Sequence, residues 1–317
     1  MYIRLGYVAI ALGLPNVTSS SHLTFTRYQK LISEEEKINQ LKKVTLSNLN
    51  DLYTILKYNI EHQVHFYRIT SRLVPLATHP EVKDWRYRTF FKEDFKRIGE
   101  LVKSHGMRVD MHPDQFNVLN STREEVVEAT IRDLMYHHAL FEDMDYPLGK
   151  MVLHIGSTQG GKEKAMERFI ENFNKASKEI RDKLILENDD KSFTAKDVLS
   201  ICKEVKAPMV LDIHHHLCNN EGEEPDLEAI FSTWEGTNLP PKIHLSSPKE
   251  GPKDRRHADY INPMDFIQFA EKVKEFNIDI DVMLESKKKD LSLFALVKDI
   301  KALKPEWQWA DQTTLEI

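Results

Sequence analysis

Side chains of the kind that bind divalent metals stand at the ends of six consecutive short apolar runs in this sequence. In chain order they are His112, His154, Glu187, Asp212, His244 and Glu285. Imidazole and carboxylate ligands together suit Zn²⁺, Mn²⁺ or Fe²⁺ rather than Ca²⁺. The set exceeds what one four-coordinate ion needs, so it predicts two or three ions, an arrangement suited to phosphodiester hydrolysis.

Each of these residues, taken alone, has a simpler explanation. A single histidine at a strand end is usually a hydrogen-bonded rim residue, and a single glutamate there is usually a solvated loop carboxylate. Six such residues at equivalent positions would have to coincide, and buried carboxylates need cations nearby. A metal cluster is therefore the favoured interpretation.

The stretch "VLDIHHHLCN" places three consecutive histidines after Asp212. Strict strand alternation puts Asp212, His214 and His216 on one face and His215 on the other. If the strand ends near Ile213, alternation no longer applies to the histidines. Periodicity alone therefore leaves open which histidine is a ligand.

These residues need a scaffold in which successive strand ends meet. The strand candidates cover residues 3–10, 65–71, 108–113, 150–156, 184–189, 208–214, 242–247 and 279–286. Amphipathic helical patterns separate them, which predicts an α/β fold, a (β/α)₈ TIM barrel, with residues 1–317 as one domain. The carboxyl ends of barrel strands share one rim, so the metal-type residues converge there. An open doubly wound sheet is the alternative, but no glycine-rich nucleotide-binding motif follows any strand.

The main irregular segment predicted in this barrel runs from Gly13 to Thr45, after the first strand. It lies where the βα loops build the active-site face, so we expect it to contribute to binding.

Composition sets limits on the class of protein. The chain has 317 residues, 41% of them hydrophobic and 30% charged, which is typical of a globular protein. The net charge of −6 argues mildly against a non-specific nucleic-acid binder. Cys202 and Cys218 lack any paired spacing, so we expect a reducing cytoplasm. No apolar run is long enough to cross a bilayer, and no membrane partner is expected.

The ordered motifs of the chain resemble those of the ultraviolet damage endonucleases, barrel nucleases related to endonuclease IV. The motifs are "LGY", "FYRITS", "MHPDQF", "LHIGS", "LENDD", "DIHHH", "KIHLSS", "RRHADY" and "LESK". The resemblance covers nearly the whole chain. It implies an ATP-independent DNA repair enzyme that nicks damaged double-stranded DNA 5′ to cyclobutane pyrimidine dimers and 6-4 photoproducts, leaving a 3′-hydroxyl and a 5′-phosphate. We expect a monomer without a nucleotide cofactor.

The same resemblance implies three sets of metal ligands. The first set is His112, His154 and Glu187. The second set is Glu187, Asp212, His244 and Glu285. The third set is His215 and His257, which leaves His214 and His216 as supporting or packing residues. Manganese is the metal that the resemblance implies, and Zn²⁺ or another divalent ion is the alternative.

Two further residues are expected at the reaction centre beside Glu187. Lys242 matches a lysine that is carboxylated in the family, and a solvated lysine at the start of a strand is the alternative. His79 in "LATHP" matches an active-site histidine, and a structural role in its loop is the alternative.

Tyr7, Gln115 and Phe116 resemble residues that probe the DNA lesion. A flat ring beside an amide can fill the gap that a flipped-out dinucleotide leaves. Family members often have tyrosine where this chain has Phe116, and stacking survives that change. Packing of the loop itself is the alternative.

The third metal set departs from the pattern of endonuclease IV-like chains. Arg255 stands where those chains place an acid, two residues before the histidine. Arg255 and Arg256 are therefore candidates for contacting DNA phosphates, with a solvated charge run as the alternative.

Two other functions fit parts of this pattern. A sugar isomerase or epimerase of the xylose isomerase type shares the barrel and a rim of Glu, Asp and His, but it would not need the lesion-probing residues. A non-catalytic scaffold that binds lesions and recruits another nuclease is the second.

Overall fold

Eight parallel strands close into a barrel in the computed structural model, which describes residues 1–317. In chain order they are β1 (Tyr2–Val8), β2 (Phe66–Ile69), β3 (Arg108–Met111), β4 (Met151–His154), β5 (Leu184–Glu187), β6 (Met209–Asp212), β7 (Lys242–Leu245) and β8 (Ile280–Leu284). Each strand pairs with its neighbour in sequence, and β1 pairs with both β8 and β2 to complete the closure. The predicted TIM barrel is confirmed, and every strand overlaps its predicted range.

The sequence did not predict a short antiparallel hairpin at the carboxyl terminus. It consists of β9 (Gln308–Trp309) and β10 (Thr314–Glu316), and β10 pairs with the first residues of β1. Because β2 pairs only with Gly6 to Val8, the hairpin pairs with the edge of β1 that β2 leaves open.

Helices surround the barrel. They are α1 (Phe25–Gln29), α2 (Glu34–Glu61), α3 (Tyr87–Phe90), α4 (Lys92–Ser104), α5 (Glu124–Asp143), α6 (Lys162–Lys175), α7 (Lys178–Arg181), α8 (Ala195–Val205), α9 (Ile213–Cys218), α10 (Leu227–Ser232), α11 (Pro263–Val273) and α12 (Lys289–Leu303), with a 3₁₀ turn at Lys274–Phe276. None of them combines the length and the apolar character that crossing a membrane requires.

Helix α2 shortens the irregular segment that was predicted up to Thr45. The helix begins at Glu34, where the hydroxyl of Ser33 accepts a hydrogen bond from the backbone of Glu36. A serine cap followed by acidic residues stabilises a helix amino terminus, because it satisfies free N–H groups and complements the helix dipole. That signal was present in "SEEE" and marks the true boundary, so the prediction of an irregular segment up to Thr45 is wrong.

Side chains of the barrel strands alternate between the helices and the barrel axis. Those facing the helices join a core of 70 buried residues. Several that face the axis are charged: near the amino-terminal end, Asp281 accepts hydrogen bonds from Arg4 Nε and Arg108 Nη1, both at 2.6 Å. Buried charges need such partners. Charged inward side chains therefore lie near the amino-terminal end of the barrel as well as at its rim.

Gly99 lets α4 approach the end of α5. A Cβ at this position would lie 1.7 Å from the carbonyl oxygen of Met144, so the two backbones would have to separate. We expect Gly99→Ala to lower the free energy of unfolding by roughly 3 kcal/mol, since overpacking displaces backbone. Urea denaturation measures the change. Gly251→Ala is the control, because nothing lies within 4 Å of its Cβ position; equal stability of the two variants would contradict this account.

Candidate metal centre

Glu187, the last residue of β5, lies at the centre of the barrel rim with 1% of its surface exposed. Its Oε2 lies 3.0 Å from His112 Nε2 and 3.4 Å from His154 Nε2. Its Oε1 lies 2.7 Å from His244 Nδ1 and 3.8 Å from His215 Nδ1. Burial alone would raise the pKa of Glu187, but the neighbouring imidazoles hold that pKa well below its usual value. The carboxylate is thus an anion surrounded by nitrogen ligands.

Three groups of side chains at the rim are close enough to hold an ion, with the ligand atoms of each group within 4.8 Å of one another. The groups are His112, His154 and Glu187; Glu187, Asp212 and His215; and Glu187, His244 and Glu285. All six residues that mark the strand ends are brought together, and Glu187 belongs to every group.

Asp212 ends β6 and also caps α9. Its Oδ1 accepts a hydrogen bond from the backbone of His215 at 2.7 Å, whereas its buried Oδ2 has no hydrogen-bond partner. Burial raises the pKa of Asp212 to about 7. A buried carboxylate oxygen without a partner is costly, and a divalent cation would satisfy it. This unpaired oxygen, beside nitrogen donors, fits a metal ion.

Three histidines of the centre are held by backbone carbonyls through Nδ1. The pairs are His112 with Pro113 O at 2.9 Å, His215 with Asn188 O at 3.0 Å, and His257 with Glu285 O at 2.5 Å. Because a carbonyl only accepts, each Nδ1 donates its proton there, and in the neutral ring Nε2 is the nitrogen that can bind an ion. Metal-binding histidines are typically oriented in this way.

The structure divides the ligand sets differently from the sequence-based prediction at His215. This residue was predicted to bind an ion other than those of Asp212. Its Nδ1 instead lies 3.7 Å from Asp212 Oδ2, and its ring lies 6.2 Å from that of His257, centroid to centroid. His215 therefore lies between the second and third predicted sets.

Arg68 is a residue of the centre that the sequence analysis did not single out. Its Nη2 lies 2.6 Å from Glu285 Oε1 and 2.7 Å from His244 Nε2, and the side chain is buried. The position of Arg68 near the end of β2, on the face that points to the barrel axis, could have indicated this role. Strand alternation likewise places Asp110 on the inward face, two residues before His112.

Lys242 is fully buried, one inward position below His244 on β7. Its Nζ lies 2.5 Å from Asp110 Oδ2, and burial lowers the pKa of the amine to about 8 despite that carboxylate. The alternative of a solvated lysine is therefore wrong.

A cleft of about 840 Å³ opens beside the metal centre. His79 and His112 line it, and the ring of His79 stacks on Phe25 with centroids 3.8 Å apart. Gln115 lines the same cleft, and Phe116 at the loop tip is 78% exposed. An exposed ring does not pack its own loop, so the packing alternative fails for Phe116.

Tyr7 is not available as a lesion probe in this structure. It is fully buried, and its hydroxyl donates to Asn59 Oδ1 on α2 at 2.6 Å. The ring faces the surrounding helices because it is an outward residue of β1. The prediction that Tyr7 contacts the lesion is therefore contradicted by its burial.

The two arginines predicted to contact DNA are exposed but already paired. Arg256 Nη2 lies 2.7 Å from Asp254 and 3.0 Å from Glu250, and Arg255 Nε lies 3.4 Å from Asp190. Exposed pairs are weak, so a phosphate can compete for these guanidinium groups.

Comparison with known proteins agrees with the geometry. A family model described as UV-endonuclease UvdE matches residues 3–309. The UV DNA damage endonuclease of Halalkalibacterium halodurans is 40% identical over 304 residues, covering 95% of this chain and 94% of that protein. The crystal structure of SacUVDE superposes with a TM-score of 0.84 at 37% identity, covering 95% of this chain and 99% of that one. Endonuclease IV from Thermus thermophilus shares the fold, with a TM-score of 0.54 at 14% identity, covering 96% of this chain and 99% of that one.

Proposed function

The chain belongs to the UV-endonuclease UvdE family, and from that premise we propose that it nicks double-stranded DNA on the 5′ side of ultraviolet photoproducts. The substrates are cyclobutane pyrimidine dimers and 6-4 photoproducts, and the products carry a 3′-hydroxyl and a 5′-phosphate. Two or three divalent ions, with Mn²⁺ as the proposed metal, are held at the barrel rim. Family membership makes the chain a nuclease and sets the sugar isomerase alternative aside.

The position of Glu187 carries this proposal. A single buried carboxylate shared by three ligand groups can hold two ions a few ångströms apart. Bound ions would supply Lewis-acid polarisation of a phosphate and would stabilise charge that develops as the ester bond breaks. Backbone carbonyls orient the ligands His112 and His215 through Nδ1, so these side chains are in place before DNA arrives.

Lesion selection is proposed to take place beside the centre, in the 840 Å³ cleft. Gln115 and Phe116 stand on the loop after β3, at the edge of this cleft. Damaged bases stack poorly, so extruding them from the duplex costs less than extruding normal bases. An aromatic ring and an amide at the loop tip can then occupy the gap in the stack.

His79 and Lys242 are both proposed to take part in the reaction, but only His79 lies where it can contact DNA. His79 is half-buried in the wall of the cleft and can contact DNA there. Lys242 lies below the rim and is proposed to act on the ligand His244 from beneath, as an amine paired with Asp110. Arg255 and Arg256 are proposed phosphate contacts.

Three properties of the whole protein complete the proposal. Cys202 and Cys218 are both unpaired thiols, which supports a cytoplasmic location. We also propose that the protein acts as a monomer and needs no nucleotide cofactor.

Supercoiled plasmid provides the direct test. Purified protein with Mn²⁺ is incubated with ultraviolet-irradiated and unirradiated plasmid, and nicked circles are measured on a gel. Nicking confined to irradiated plasmid supports the proposal. Binding of irradiated DNA without nicking would instead identify a lesion-binding scaffold, and equal nicking of both plasmids would contradict lesion selection.

Phe116→Ala is expected to weaken binding to irradiated duplex by roughly 10- to 100-fold, because one aromatic stack on a base contributes about 1–3 kcal/mol. The free energy of unfolding should not change, since the side chain is 78% exposed. Fluorescence anisotropy with a single-lesion duplex measures the affinity. Leu303→Ala is the control, because Leu303 is also exposed but lies at the end of α12. An unchanged affinity in Phe116→Ala would remove this residue from lesion recognition.

A further inference from the structure

The segment Ser247–Ala258, which we call the His257 hairpin, follows β7 and folds back over the rim. Its arms are joined by hydrogen bonds from Ala258 N to Ser247 O and from Lys249 N to Arg256 O, both at 2.9 Å. His257 stands on the returning arm, where it faces the metal centre. Most of the tip is exposed to solvent, so the hairpin needs contacts with the barrel to stay in place.

His214 supplies such contacts from below. It is fully buried in α9, with Nδ1 at 2.8 Å from Ser246 Oγ and Nε2 at 2.8 Å from the carbonyl oxygen of Asp254. The carbonyl only accepts, so Nε2 donates to it, and the serine hydroxyl donates to Nδ1. One ring thus joins the residue before the hairpin to its tip. Its centroid also lies 5.3 Å from that of His257, edge to face.

Both nitrogens of His214 are therefore engaged with protein atoms. This distinguishes it from His215 and His257, whose Nε2 atoms remain free. Two consecutive histidines in one turn of α9 therefore have different roles. His215 faces the carboxylates, while His214 faces the hairpin.

We propose that His214 is a positioning residue that holds the His257 hairpin over the metal centre and so keeps His257 in place to bind an ion. This rests on the proposed function, since it assumes that the centre binds divalent metal. The physical basis is the pair of buried hydrogen bonds. If they are lost, the Asp254 carbonyl can turn to solvent, and the tip of the hairpin is released.

The matched variants are His214→Leu, which removes both hydrogen bonds, and His214→Gln, whose amide can still donate to Asp254. His216→Leu is the control, because His216 is also buried in α9 but its Nδ1 has no partner. Hydrogen exchange of residues 247–258 is measured in the metal-free protein. Titration calorimetry with Mn²⁺ alone measures the weakest binding step.

We expect His214→Leu to speed exchange in the hairpin and to weaken the weakest Mn²⁺ site by roughly 10- to 100-fold, the usual effect of losing a group that orients a ligand. His214→Gln should restore much of both, and His216→Leu should change neither. Unchanged exchange and Mn²⁺ affinity in His214→Leu would overturn the proposal, as would an equal effect of His216→Leu. If His214→Leu does not fold, Ser246→Ala replaces it, with smaller shifts expected in the same direction; their absence also overturns the proposal.

The plasmid assay separates this proposal from the function on which it rests. A wild-type protein that binds Mn²⁺ and shows the expected hairpin response, yet leaves irradiated plasmid intact, would contradict the nuclease function alone. Normal nicking by the wild-type protein together with an unaffected hairpin in His214→Leu would contradict the role of His214 alone.

Discussion

Glu187→Gln is expected to lower nicking of irradiated DNA by about 10³-fold, which corresponds to roughly 4 kcal/mol of transition-state stabilisation. The amide keeps the size of the side chain but removes the charge that three ligand groups share. Every ion held by one of these three groups would lose a ligand at once, so the effect should exceed that of replacing any residue that belongs to one group only. Single-turnover nicking of a duplex with one lesion measures the rate.

Two measurements show that the loss comes from the metal centre. Saturating Mn²⁺ should raise the melting temperature of the wild-type protein by a few degrees, as expected for a ligand that binds only the folded state, and should raise that of Glu187→Gln less. Affinity for the lesion should stay measurable, because the cleft and the loop of Phe116 are unchanged. Glu235→Gln, an exposed glutamate outside the centre, is the control. Activity of Glu187→Gln within tenfold of the wild type would rule out a shared bridging ligand.

Lys242→Met is expected to lower the free energy of unfolding by about 3–5 kcal/mol, the usual effect of removing one partner of a buried ion pair. The change leaves the Asp110 carboxylate in the barrel without its cation, which lies 2.5 Å away in the wild type. The second oxygen of Asp110 already has no hydrogen-bond partner, so without Lys242 the buried carboxylate keeps no hydrogen bond. Urea denaturation followed by tryptophan fluorescence measures the loss.

A double variant separates pairing from packing. Lys242→Met with Asp110→Leu removes both charges and should recover most of the lost stability, since apolar replacements of buried pairs are often neutral. Lys203→Met, on the exposed surface of α8, should change little. If the double variant is no more stable than Lys242→Met, the charge of Asp110 is not the cause.

The difference in the free energy of unfolding between the wild-type protein and Lys242→Met is expected to change with pH in a defined direction. Burial lowers the pKa of Lys242 from 10.5 to about 8, so between these values the unfolded chain holds a proton that the folded chain has released. The free energy of unfolding therefore rises with pH in this window because of Lys242, and Lys242→Met lacks that rise. The stability difference between the two proteins should widen from pH 8 to pH 10. Groups distant from Lys242 titrate equally in both proteins and cancel.

Periodicity and strand order made the barrel and its rim predictable. Parallel strands buried on both faces must be linked by helices, and their carboxyl ends must meet, so residues far apart in sequence were placed together correctly. His112, Glu187 and Glu285 needed no more than that argument. The same argument did not predict the hairpin of β9 and β10, because strands of two or three residues are too short to show a recognisable alternation of apolar and polar residues.

The sequence did not indicate which way β1 turns its side chains. Alternation shows that Tyr7 and Gly6 face opposite sides, but in a strand buried on both faces either side can be the barrel axis. The packing of Tyr7 against Asn59 on α2 decides it. A lesion probe was therefore predicted where the fold places a core residue.

The sequence by itself determined which residue types meet at the rim, because strand period and barrel closure fix where each strand end lies. Only the tertiary structure decided what each imidazole does there. His215 and His257 have a free Nε2 because backbone carbonyls from distant segments accept from their Nδ1. In His214, by contrast, both ring nitrogens form hydrogen bonds, one with Ser246 and one with Asp254. Hydrogen-bond partners of this kind come from residues that no local pattern brings together, so the task of each histidine is set by the assembled barrel.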